Sequence, residues 1–141
     1  MEKIAERVVE RYLEAAAPTY TAIFLDEGSK RRLLMWWRTS VRLPLLPTLY
    51  GDHVTLRYKP AKSDLERTPL GEHALVQVIG WASDEKGQAV LVRPSVTSAN
   101  RYPHVTVACA KGIEPVYSNR LLAEGYTRKM GPILRGVVDY R

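Results

Sequence analysis

A four-residue word occurs twice in this chain, as His53-Val54-Thr55-Leu56 and as His104-Val105-Thr106-Val107, and it constrains the fold more than any other feature. Polar and apolar residues alternate in it with period two, the pattern of a β-strand that lays one face on a core. His53 and Thr55 then project from one side of their strand while Val54 and Leu56 project from the other. The second word repeats the arrangement with His104 and Thr106 against Val105 and Val107. Imidazole and hydroxyl two places apart stand roughly 7 Å from each other at Cβ, near enough for both to reach one phosphate group. Two of the chain's three histidines open these words. Histidine gives or takes a proton near neutral pH, so a matched pair points to an acid and a base acting together. The third, His73, follows Gly71-Glu72 and reads as a hydrogen-bonded structural residue.

Two His-x-Thr-x words on strands resemble the signature of the 2H phosphoesterase superfamily, which includes the 2′,5′ RNA ligase-like proteins and the cyclic nucleotide phosphodiesterases of tRNA splicing. Upstream, Tyr20-Thr21-Ala22-Ile23-Phe24-Leu25-Asp26-Glu27, followed by a helix from Ser29 to Arg38, resembles the first strand and helix of that fold. The resemblance implies an α+β fold of two lobes related by a pseudo-twofold. Antiparallel sheets would form a central cleft with helices on the outer faces, each lobe giving one motif strand. It also implies metal-independent attack on phosphodiesters or cyclic phosphates, with His53 as acid and His104 as base. The interval between the histidines is short for that family, which implies that a peripheral element is trimmed.

The chemistry asks for the same layout. Opening a 2′,3′-cyclic phosphate needs a base to take a proton from water and an acid to protonate the departing ribose oxygen, on opposite sides of phosphorus. Two histidines on one strand cannot do that, whereas two on separate strands facing one cleft can. Thr55 and Thr106 are then placed to hydrogen-bond the non-bridging oxygens as charge builds on them. Arg57 and Lys59 share strand parity with His53 and are candidates for flanking phosphates, with plain surface charge as the alternative. Tyr102 and Tyr117 flank the second word and are candidates for stacking on a base, against ordinary packing.

At 141 residues the chain reads as a single domain, 1–141, long enough to bury a core, with its lobe boundary in the polar stretch 60–71. Hydrophobic content of 45% with 26% charged residues fits a soluble globular protein rather than a disordered one. No stretch approaches the roughly 20 apolar residues of a membrane helix, and the charged start Met1-Glu2-Lys3-Ile4-Ala5-Glu6-Arg7 does not read as a secretory signal. The lone Cys109 fits a reducing cytosol and a packing role. The expectation is a cytoplasmic monomer without membrane contact. A net charge of +6 favours an anionic partner such as RNA ends or a nucleotide cyclic phosphate.

Along the chain, Ile4, Val8, Val9, Tyr12, Leu13 and Ala16 fall at helical spacing over Glu2 to Ala17, ended by Pro18. A strand over 20–25 follows, then a turn and N-cap in 26–29 and a helix from Lys30 to about Thr39. In that helix one of the adjacent Trp36 and Trp37 belongs to the core, and the other is free to line a cleft. Val41 to Pro47 is an apolar connector broken by two prolines. The first motif strand runs over about 52–59. Stretches 73–81 and 88–93 form a hairpin around Ser83-Asp84-Glu85-Lys86-Gly87. Residues 95–103 make a polar loop into the second motif, a short helix runs from about Glu114 to Glu124, and a strand over 133–140 closes the chain.

Two other readings are open. A zinc site is poorly supplied with ligands, since no Cys-x-x-Cys or His-x-x-x-His occurs and the paired threonines have no role in one, so no metal and no cofactor is expected. A non-catalytic RNA- or nucleotide-binding protein that keeps the 2H fold is the alternative to the phosphodiesterase, although both words retain every histidine and threonine.

Overall fold

The computed structural model describes residues 18–141, so the helix expected over Glu2 to Ala17 lies outside the described residues. Strand β1 (Tyr20–Leu25) leads into helix α1 (Glu27–Trp36), whose last turn widens into a π-helical turn over Trp37–Val41. After the proline-broken connector come the two-residue β2 (Thr48–Leu49) and the first motif strand β3 (His53–Tyr58). Helix α2 (Lys62–Arg67) occupies the expected polar loop. The hairpin follows as β4 (His73–Ser83) and β5 (Gly87–Pro94), then the second motif strand β6 (His104–Cys109) and helix α3 (Tyr117–Ala123). Two-residue β7 (Thr127–Arg128) and long β8 (Ile133–Tyr140) end the chain.

All the pairings are antiparallel, and they run β6-β3-β1-β8-β4-β5, with β5 pairing back onto β6. The sheet is therefore a closed ring, with β2 added beside β6 and β7 beside β4. The antiparallel α+β class expected from the sequence holds, but one barrel stands where two sheets facing across a cleft were expected. The reason is in the order of the strands. β8 inserts between β1 and β4, and β6 bridges β3 to β5, so the segments before and after 60–71 share one hydrogen-bonded sheet.

Closing so few strands demands strong local bending, and β-bulges supply it. One lies between β1 and β3 at Leu56, one between β4 and β5 at Ile79, and one between β5 and β6 at Val107. The barrel is filled by Ile23, Val54, Val76, Val78, Val90, Val92, Val105, Leu134 and Val138, all at or near zero exposure. Strand β5 is buried on both faces, as a near-continuous apolar run should be. Val90 and Val92 face the barrel core, while Ala89 and Leu91 join Leu121 and Leu122 of α3 in a second cluster.

Helix α1 starts where its cap dictates. The Asp26 carboxylate accepts the Ser29 N–H at 2.6 Å, and the Ser29 hydroxyl accepts the Arg135 N–H of β8 at 2.8 Å, fixing the helix to the barrel wall. Of the adjacent tryptophans, Trp37 is fully buried and meets Trp81 edge-on, while half-buried Trp36 covers Gly131. Strand β8 lies unusually close to β1. A Cβ on Gly136 would stand 2.5 Å from the Phe24 carbonyl oxygen and 2.7 Å from Ile23 Cγ2, and backbone cannot yield as a side chain can. Gly136→Ala should therefore destabilise the protein by about 1–3 kcal/mol, read as a lower midpoint in chemical denaturation at unchanged slope. A wild-type midpoint would show that the β1–β8 seam is loose.

Candidate functional site

Strands β3 and β6 touch through a single bridged pair, Val54 opposite Val105. Both valines are fully buried in the barrel, so the residues on either side of each must turn to the other face. Antiparallel register then sets His53 beside Thr106 and Thr55 beside His104. A local twofold runs through the valine pair, and all four polar motif residues line one cavity of about 690 Å³. Its walls add Tyr20 from β1, Tyr50 and Asp52 from the approach to β3, Tyr58 from the end of β3, Asn100 from the loop before β6, and Glu114 to Val116 with Asn119 around the start of α3.

The two histidines are held differently. His104 places Nδ1 at 2.7 Å from the Tyr102 carbonyl oxygen. A carbonyl only accepts, so Nδ1 carries the proton and Nε2 keeps its lone pair in the neutral ring. His53 is held by ring contacts, stacked on Tyr20 at 5.2 Å between centroids and tilted against Phe24 at 5.7 Å. Burial pushes both imidazoles below the ordinary histidine value of 6.5. For His53 the neighbouring Asp52 charge pulls upward while His104 and Arg141 add to the lowering; for His104 the Tyr102 carbonyl pulls upward.

The threonines differ as well. Thr106 is buried, with Oγ1 at 2.8 Å from Ser118 Oγ and at 3.3 Å from the Pro115 carbonyl oxygen. Thr55 is half-buried, and its backbone carbonyl accepts from Ser98 Oγ at 2.9 Å while the Leu56 carbonyl accepts the Ala99 N–H at 2.7 Å. These bonds clip the 95–103 loop against β3 and bring Asn100 to the cavity.

The flanking candidates lie elsewhere. Opposite β1, Thr55 faces Ala22 and Arg57 faces Thr21, so one step along β1 matches two along β3, and Leu56 is the extra residue. Beyond that bulge the parity inverts. Arg57 turns to the far side of β3, where it lines a separate hollow with Arg67 and lies 3.5 Å from the Asp64 carboxylate. Tyr58, opposite Tyr20, takes the place on the His53 side that alternation had assigned to Arg57. Lys59 adopts a left-handed backbone, gives its N–H to the Thr19 carbonyl and holds its ammonium 5.7 Å from the Tyr58 ring, outside the cavity lining. Tyr102 packs its ring on the cluster under α3 and reaches the site through its carbonyl. Tyr117 packs on the same cluster and gives a short hydrogen bond to the Asp84 carboxylate, which pushes its phenol up to about 12. The exposed His73 lies on β4 opposite Val137 and does not line the cavity. Tyr20, Tyr50 and Tyr58 are among the wall residues that sequence reading missed, with Asp52, Glu114 and Asn119. Register would have found Tyr20 and Tyr58, which pair across β1 and β3, and that register is set by a bulge that leaves no mark in the residue pattern.

Among the described residues, no group of three or more His, Cys, Asp or Glu side chains is arranged to hold a metal ion, and no helix is long and apolar enough to cross a membrane. A family model described as the fungal tRNA ligase phosphodiesterase domain matches residues 52–132, a stretch that begins one residue before the first motif and includes the second. A solved structure titled "Crystal Structure of Fungal RNA Kinase" superposes with a TM-score of 0.62 at 15% identity, covering 88% of this chain and 46% of that one. At that identity the likeness is one of fold, and this chain spans less than half the length of that structure. No curated protein matches.

Burial sets the direction of the histidine titrations. Followed by NMR, both His53 and His104 should titrate with midpoints below 6.5, and Asp52→Asn should take His53 lower still by removing its upward pull. An unfolded histidine takes its proton near 6.5 and these folded ones only at lower pH. The unfolded state therefore binds more protons across that interval, and this contribution to stability is lost as pH falls through it. A His53 midpoint above 6.5 would mean that Asp52 outweighs burial.

Proposed function

The chain belongs to the fungal tRNA ligase phosphodiesterase family of the 2H phosphoesterase superfamily, and from that premise we propose that it hydrolyses RNA or nucleotide 2′,3′-cyclic phosphates, or 2′,5′ linkages, by two-histidine acid/base catalysis without a metal ion. The observation that carries this reading is that His53, Thr55, His104 and Thr106 line one cavity around the Val54–Val105 pair.

His104 is the base. With Nδ1 committed to the Tyr102 carbonyl, its Nε2 takes a proton from water as the water oxygen bonds to phosphorus. His53, beside Asp52, is the acid. As the bond from phosphorus to one ribose oxygen breaks, the imidazolium gives that oxygen its proton, leaving a hydroxyl and a phosphate monoester. The two protons moved and the one water consumed balance the ring opening. Thr55 and Thr106 donate to the non-bridging oxygens in the transition state. Tyr20 and Tyr58, on the His53 side, are placed for the face of a terminal base.

The test is a panel of RNA ends and mononucleotides carrying 2′,3′-cyclic phosphates, with 2′,5′-linked dinucleotides, incubated in excess EDTA. Turnover of at least one member is expected, with kcat/KM following a bell in pH whose maximum lies on the acid side of 6.5, because both imidazoles are lowered. His53→Ala and His104→Ala should each cut the rate by about 10²- to 10⁴-fold or more, and Thr55→Val by about one to three decades. His73→Ala should match wild type. Activity lost to EDTA and restored only by a divalent ion would transfer the case to metal chemistry, and tight binding without turnover would favour the non-catalytic nucleotide-binding alternative.

A further inference from the structure

Ser118 is 1% exposed in the first turn of α3, and its hydroxyl lies 2.8 Å from that of Thr106. The direction of that bond follows from counting protons. Thr106 Oγ1 also lies 3.3 Å from the Pro115 carbonyl oxygen, which can only accept. Thr106 has one hydroxyl proton, and in the free protein it goes to Pro115. With Ser118 as donor between the two hydroxyls both protons find an acceptor among these groups, and the chain then runs Ser118 to Thr106 to the Pro115 carbonyl.

The two links are unequal. The Ser118 link has ordinary length, whereas the Thr106–Pro115 link is long, and its carbonyl already accepts the Ser118 N–H at 3.0 Å. A phosphate oxygen in the cavity competes for the Thr106 proton with a charge-assisted bond about twice as strong as a neutral one. The weak link yields and the strong one stays. Continued donation from Ser118 into the Thr106 oxygen polarises its O–H bond and makes it a better donor.

We infer that Ser118 is a positioning residue for the phosphate-binding Thr106, fixing its oxygen and leaving its proton to turn from the Pro115 carbonyl to the substrate. This rests on the proposed role of Thr106 as a phosphate ligand. Thr55 is tied differently, through its backbone carbonyl to Ser98, so the device breaks the symmetry between the two motifs.

The test uses an RNA oligonucleotide ending in a 2′,3′-cyclic phosphate, in EDTA, with Ser118→Ala introduced into wild type, Thr106→Val and Thr55→Val. In wild type, Ser118→Ala should lower kcat by about 5- to 30-fold with KM within about twofold, since the bond matters most as charge builds. On Thr106→Val it should change kcat by less than about twofold, with no hydroxyl left to position, while on Thr55→Val it should keep its full factor. Ser118→Cys, of similar size with a weaker donor, should fall between Ser118→Ala and wild type. The inference is overturned if folded Ser118→Ala has wild-type kcat, or if its factor persists undiminished on Thr106→Val. Should Ser118→Ala not fold, the same comparison on Ser118→Cys decides by the same criteria. Equal rates for wild type and Thr106→Val would sink the phosphate-ligand reading itself, and the positioning role with it, a result distinct from either of the others.

Discussion

One contact between two valines holds the site together. Val54 and Val105 form the single bridged pair between β3 and β6, and both are fully buried. Burying them stabilises the barrel by about 1.5–3 kcal/mol per side chain. The same burial leaves the histidine and threonine on each side of each valine no choice but the opposite face. Core packing thus sets the site geometry, and a one-residue slip of either strand would turn both polar residues of its motif inward.

That coupling explains which parts of the site were legible in the sequence. The alternation in His53-Val54-Thr55-Leu56 and in His104-Val105-Thr106-Val107 carries its own face assignment, because a period of two needs no partner strand to be read. The strand over Tyr20–Leu25 was legible from its aromatic and β-branched residues, and the hairpin from the turn-forming stretch Ser83 to Gly87 that joins its strands. Ring closure was not, since it depends on β5 pairing with β6 and on β8 inserting between β1 and β4, contacts between segments far apart in the chain. Parity also fails at a bulge. Alternation carried past Leu56 placed Arg57 with the histidines, and one extra residue exchanges it for Tyr58. Tyr102 and Tyr117 mark a third limit: a tyrosine beside a motif is as available to a core cluster as to a ligand, and α3 supplies the cluster.

The local twofold makes the motifs alike in backbone and unlike in surroundings. His104 has its tautomer fixed by a carbonyl, and Thr106 sits in a hydroxyl chain. His53 lies among aromatic rings next to a carboxylate. Nothing in a repeated His-Val-Thr distinguishes these cases, because the differences come from residues outside the motif: Tyr102, Ser118, Tyr20 and Asp52. In the proposed reaction these differences would let one histidine start neutral and the other protonated.

The cavity lining has one further consequence for the proposed reaction. Among the described residues that line it there is no lysine or arginine, and Asp52 and Glu114 contribute carboxylates. The net charge of +6 lies elsewhere on the chain, where it raises the concentration of phosphates near the protein without holding one in the site. Inside, the groups able to donate to a phosphate are hydroxyls, amides and whichever imidazole is protonated, beside the two carboxylates. A cyclic diester carries one negative charge, and its monoester product gains most of a second near neutral pH, because the second proton leaves with a pKa of about 6. Asp52 is ion-paired with the Lys30 ammonium at 3.0 Å, so the repulsion of a doubly charged product falls mainly to Glu114, and no arginine stands among the wall residues to hold the dianion. In the proposed reaction, a lining with Glu114 and without arginine would hold the dianionic product less well than the singly charged ring.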